Sequence, residues 1–298
     1  MKLATFNGPQ GQRVGVVDVD RQLLINLDEP DMISLLESGA DGLRRAAKKV
    51  ASASSATNTT SVLALDEIEL CAPVVRPRKV LALAGNYAEH IQEGGKLARQ
   101  DSQTPRVFMK PPSSTVIGPG RNILLPAIAR EIDWEGELAV VIGSHCKAIG
   151  ADEALDHVAG YTIMNDVSER ALKIWKRSKN RPIDDFFDWL NGKWYDTFAP
   201  MGPWLVTKDE IPDPQTLQIS TFVNDQRKQH SSTAQMIFPV ARLIEYISAM
   251  ISLEPGDVIA TGTVSGVGKT TGNFLKAGDL VKVTISSIGD LENGVAAG

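Results

Sequence analysis

Asp133, Glu135 and Glu137 stand at alternate positions in "DWEGELAVVIG", at the head of the apolar run Leu138 to Ile142. The run reads as a buried strand, in which every second side chain points the same way. Three carboxylates on one such face repel one another, and their burial is costly unless positive charge lies nearby. Strand spacing sets Glu135 and Glu137 about 6 to 7 Å apart at the Cα level, close enough to ligate one hard cation. An isolated pair of this kind is more often the solvent face of an edge strand, but the apolar run that follows argues against exposure. A second stretch, "GYTIMNDVSER", brings Asp166 to the end of another strand-like run, where an aspartate could equally cap a short helix. Glu135, Glu137 and Asp166 together make an all-oxygen set, which favours Mg²⁺ or Mn²⁺, with Ca²⁺ also suited, over zinc.

In "LAGNYAEHIQEGGK", Tyr87, His90 and Glu93 follow a strand and a Gly-Asn turn. His90 and Glu93 share a face of a helical turn, so the carboxylate can hold and polarise the imidazole. An exposed helix pair is the plain alternative; beside a metal site the two become a dyad able to activate water. "GVGKTTG" invites a phosphate-loop reading, but the first glycine of that motif falls on Thr263 and no apolar helix follows. His145, His157 and His230 lack an acidic partner at ligand spacing. Cys71 and Cys146 have no metal or disulfide spacing and read as buried thiols.

The elements that must position these residues are numerous and short. Residues 1 to 28 alternate in apolar runs that suggest β-hairpins, a helix is expected from about Asp31 to Val50, and the Ser/Thr/Ala-rich stretch 51 to 61 reads as a connection. A boundary near residue 72 separates a small N-terminal α/β domain (1–72) from a β-rich α+β domain (73–298). In the latter, many strands bounded by Pro, Gly or Asp turns are interrupted by few helices, notably "PVARLIEYISAM". No long repeat is visible. With 298 residues, 43% of them hydrophobic, the chain can build a substantial core, and a net charge of −5 lends no support to nucleic-acid binding. Neither a signal-peptide core nor a run of about 18 apolar residues is present, so a cytoplasmic protein without a membrane span is expected.

Seven blocks, "GNYAEHIQE", "MKPPSSTVIGPG", "DWEGELAVVIG", "GYTIMNDVSER", "GKWYDTFAPMGPWLVT", "VNDQ...QMIF" and "TGTVSGVG", resemble the fumarylacetoacetate hydrolase family in order and approximate spacing. The resemblance covers about residues 74 to 287. It implies a mixed β-sheet roll, usually a homodimer, with Glu135, Glu137 and Asp166 as metal ligands and His90 with Glu93 activating water. Lys193 and Arg170 would be positive groups near the substrate, and Tyr87 and Thr263 would contact it. A small anionic 2-oxo acid is the implied substrate. Cleavage of a C–C bond in a 2,4-dioxo acid is the implied reaction; decarboxylase, isomerase or lyase chemistry on the same metal site is the alternative. The chain departs from the namesake enzyme at Leu83, Val264, Ser265 and Lys173, and so looks nearer the smaller H-x-x-E members such as acylpyruvases. The insert between Arg170 and Lys193, with five basic residues and then Phe186, Phe187 and Trp189, reads as a lid over residues 172 to 192.

Overall fold

A computed structural model describes residues 1–8, 11–55, 61–93, 95 and 103–298. Its largest sheet is mixed and runs, from edge to edge, through Val62–Ala64, Leu23–Glu29, Gly11–Asp18, Lys2–Gly8, Ala199–Thr207, Val158–Asn165, Gly136–Ile142, Val258–Ala260, Val80–Ala84 and Arg106–Lys110. The N-terminal hairpins therefore continue the sheet of the larger region, with Leu3 opposite Leu205. A second sheet of Gln226–Ser232, Gln218–Val223, Leu280–Ile285, Gly289–Ala297 and Ile123–Leu125 packs on it. The family expectation of a β-rich mixed fold holds.

The strand Gly136–Ile142 explains why "LAVVI" is apolar at every position: it is buried on both faces. Leu138, Val140 and Ile142 join Ile219, Val283 and Ile285 of the second sheet and Leu243, Ile244 and Ile247 of the helix Val240–Met250. Ala139 and Val141 meet Met164 and, from the N-terminal region, Met32 and Leu35. Glu137 belongs by alternation to this second face, while Gly136 belongs to the first. A Cβ on Gly136 would lie 2.3 Å from Thr221 Oγ1 and 2.9 Å from Val283 Cγ1, so only glycine lets the two sheets close between the two glutamates.

Local expectations are amended in four places. The helix expected from Asp31 is two helices, Met32–Glu37 and Gly39–Ser55. Asp31 caps the first by accepting from Ser34 N at 2.9 Å, and Gly39, at φ +55°, turns the chain into the second. The second helix runs into the stretch read as a connection, of which 56–60 lie outside the described residues. Asp166 opens no helix: Ser168–Glu169 is a short strand paired with Ile132–Asp133, a partner some 35 residues upstream that local signals do not reveal. Of the two free thiols, Cys146 is buried, but Cys71 is only half-buried.

Candidate metal centre and active site

Three segments converge to bring the carboxylates together. Asp166 N donates to Glu135 O at 2.9 Å, and Glu135 N donates to the Asn165 side chain at 2.9 Å, so the end of one strand is tied to the start of the next. Glu137 Oε2 accepts from Gly262 N at 2.8 Å; Gly262 sits at φ +93°, and a Cβ on it would lie 2.8 Å from Asn86 Cβ. As a result Glu135, Glu137 and Asp166, all buried, present oxygens within 4.8 Å of one another.

The positive charge that the crowding demands comes first from the protein. Lys193 Nζ bridges Glu135 Oε2 at 2.5 Å and Asp166 Oδ2 at 2.6 Å, and Lys110 Nζ holds Asp166 Oδ1 at 2.5 Å. Arg170 joins Glu135 through Nη2 and Asp133 through Nε at 2.9 Å. Burial alone would raise the Glu135 carboxyl, but Arg170, Lys193 and then His90 outweigh it and hold Glu135 well below the usual carboxylate range. Glu137 goes the other way: burial, then the Asp166 and Glu135 charges, push it far up. Its Oε1 is buried with no hydrogen-bond partner. That orphaned oxygen, inside an all-oxygen donor set, fits a hard divalent cation; imidazole and thiolate are lacking among the grouped donors.

His90 and Glu93 lie on the helix Ala88–Glu93, with His90 Nδ1 3.1 Å from Glu93 Oε2. Glu93 Oε1 accepts from Gly266 N at 2.8 Å, which latches this helix to the glycine-rich loop. The pair opens on a cavity of about 440 Å³, lined also by Arg106, Arg170, Trp189 and Lys269. Trp189 comes from the helix Pro182–Asn191 within the insert, whose Phe186 and Phe187 are exposed.

Tyr87 and Thr263, expected at the substrate, do not line this cavity. Tyr87 is buried, and burial together with the Glu137 charge keeps its phenol protonated. The Thr263 hydroxyl donates to Gly136 O at 3.0 Å and accepts from Gln229 Nε2 at 2.9 Å, so it pins the loop to the ligand strand. Asp133 is not among the grouped metal donors. It is hydrogen-bonded at the strand start, accepting from Trp134 N, Gly268 N, Lys269 N and Arg170 Nε. Gly268 N and Lys269 N of "GVGKTTG" are thus spent on Asp133 and Gly266 N on Glu93, which leaves these amides with carboxylate partners and removes the phosphate-loop reading.

Two buried residues of the site carried no role in the sequence reading. Lys110 ends a strand, and a fully buried lysine beside apolar neighbours is a signal in itself. Gln229 accepts from Gly136 N at 3.1 Å and donates to Val264 O at 2.8 Å, from a strand more than 90 residues away, with no local mark.

Residues 79–296 match the family described as fumarylacetoacetate (FAA) hydrolase C-terminal. The chain belongs to the fumarylacetoacetate hydrolase family. A mitochondrial oxaloacetate tautomerase of Bos taurus is 39% identical over 305 aligned positions, covering 99% of this chain and 91% of its own. Among solved structures, maleylpyruvate hydrolase of Sphingobium sp. SYK-6, in complex with manganese(II) and pyruvate, matches with a TM-score of 0.79 at 29% identity, covering 100% of each chain. The 5-carboxymethyl-2-hydroxymuconate delta-isomerase of Mycobacterium smegmatis matches at 0.75 and 32% identity, covering 100% of this chain and 99% of its own. The relatives of this fold thus carry names of hydrolases, isomerases and tautomerases. Among the described residues no helix is long and apolar enough to cross a membrane.

Proposed function

We propose that this chain is a divalent-metal-dependent hydrolase that cleaves a C–C bond in a 2,4-dioxo acid of the acylpyruvate or diketo sugar acid type. Glu135, Glu137 and Asp166 would hold Mg²⁺ or Mn²⁺, and the unpartnered, buried Oε1 of Glu137 is the observation that carries the reading. Such an ion polarises a 2-oxo acid and stabilises the negative charge that develops as an enolate departs. Lys110, Lys193 and Arg170 hold the Asp166 and Glu135 carboxylates in place. Glu93 accepts from His90 Nδ1, which leaves Nε2 as the basic nitrogen. There His90 takes a proton from water, the resulting hydroxide adds to the distal carbonyl at C4, and the C3–C4 bond breaks. Its electron pair passes into the enolate fragment, and His90 returns the proton to C3. Glu135→Ala, or thorough chelation, should abolish cleavage; full activity in either case refutes the mechanism.

A second reading is keto–enol tautomerisation or isomerisation of a 2-oxo acid, favoured by the bovine relative that spans 99% of this chain and is named an oxaloacetate tautomerase. The same His90 would then move a proton between C3 and the enol oxygen with no attack by water. Product analysis on a panel of 2-oxo acids separates the possibilities: a hydrolase yields two fragments, an isomerase none, a decarboxylase CO₂. Residues 172–192 act in this reading as a lid, with Trp189 as its inner wall. Of the first 72 residues, taken as a separate small domain, none of those described lends a side chain to the cavity. A cytoplasmic homodimer is the expected working form.

A further inference from the structure

Among the described residues, the cavity over the dyad holds positive charge that no carboxylate neutralises. Of its three basic residues, Arg170 is committed to Asp133 and Glu135. Arg106 and Lys269 are both exposed and, among the described residues, have no carboxylate partner. The single acid of the lining, Glu93, is already bound to His90 and to Gly266 N.

The strand Arg106–Lys110 serves as a ruler across the site. Arg106, Phe108 and Lys110 alternate and so share a face. Lys110, at one end, grips the ligand carboxylate of Asp166 at 2.5 Å. Phe108, in the middle, forms an apolar step, its ring edge-on to Trp189 with centroids 5.2 Å apart. Arg106, at the other end, stands about 13 Å from Lys110 along the backbone, four residues of strand rise. Lys269 enters from the glycine-rich loop, with its backbone fixed by the bond from its amide to buried Asp133 Oδ2 at 3.1 Å.

We propose that Arg106 and Lys269 form an anion subsite for a second carboxylate at the far end of the substrate. They would make the enzyme favour, among the 2-oxo acids the site can take, those with a second carboxylate several carbons away. The inference rests on the metal-held 2-oxo acid of the preceding section. An aromatic and aliphatic wall, Trp189 and Ile91, accommodates the connecting carbons, and two cations without a carboxylate partner among the described residues give the far carboxylate charge-assisted hydrogen bonds.

Titration calorimetry of the full chain with Mn²⁺ tests this with oxalate, 2-oxoadipate and 2-oxohexanoate, the last two differing only in the far carboxylate. The expected result is binding of 2-oxoadipate about ten- to a hundredfold tighter than 2-oxohexanoate. In the Arg106→Gln/Lys269→Gln double variant the two should bind alike, while oxalate, too short to reach either residue, keeps its affinity. Equal affinity in the native chain, or a preference that survives the double substitution, with oxalate still bound, overturns the subsite and leaves the metal reading standing. If oxalate itself fails to bind, the metal reading falls and the subsite falls with it.

Discussion

Gly136→Ala should damage the metal centre more than the fold. The added Cβ would meet Thr221 Oγ1 at 2.3 Å and Val283 Cγ1 at 2.9 Å, whereas ordinary contact begins at 3.4 Å. Relief therefore requires a shift of 3.4 − 2.3 = 1.1 Å, or of 3.4 − 2.9 = 0.5 Å if Thr221 rotates away. Thr221 Oγ1 has no hydrogen bond to lose by rotating, but Val283 is held in the middle of its sheet. Overpacking of this kind costs about 1–3 kcal/mol. The shift falls on Glu135 and Glu137, which flank the glycine, and a ligand displaced by half an ångström exceeds the tolerance of roughly 0.2 Å in metal–ligand distances. Affinity for Mn²⁺ should drop on the order of ten- to a hundredfold, as with other changes that disturb ligand orientation. Calorimetric titration with Mn²⁺, paired with urea unfolding, measures the two effects separately. Thr221→Ala added to the variant should restore part of the affinity, because it removes the nearer clash. Native Mn²⁺ affinity in Gly136→Ala, or a double variant no better than the single one, would refute the argument.

Two further outcomes are expected. His90→Asn should lower kcat about 10²- to 10⁴-fold with Mn²⁺ still bound, and Glu93→Gln should fall short of native kcat as well, since the imidazole loses the carboxylate that orients it; steady-state kinetics beside calorimetry checks both. Asp133→Ala should destabilise the fold by about 3–5 kcal/mol, read from the urea midpoint, because it strips a partner from buried Arg170 and leaves the amides of Gly268 and Lys269 without their acceptor.

The sequence by itself determined the donor set. Period-two alternation places Glu135 and Glu137 on one face whatever the rest of the chain does, and helical spacing brings His90 to Glu93 within one short helix. The apolar run after Glu137 marks a doubly buried strand before any sheet is known, because burial on both faces leaves no polar position to alternate. These are consequences of backbone geometry over a few residues, and they are legible in any stretch long enough to show the period.

Only the tertiary structure decided how the charges are balanced. Lys110 lies 56 residues from Asp166, Lys193 lies 58 from Glu135, and Gln229 lies 93 from the amide it receives. Arg170, which lines the cavity, also pairs with Glu135 and Asp133, and Thr263, outside the cavity lining, is bonded to Gly136 O. A buried carboxylate takes the nearest cation or donor that packing delivers, since in a low-dielectric interior an unpaired charge or amide costs more than the contact it gives up. Which side chains packing delivers is set by strand order and sheet-on-sheet closure. Those are properties of the whole chain, and both levels meet at Gly136: a gap in the sequence pattern between the two clustered glutamates, and a point at which the second sheet comes to rest.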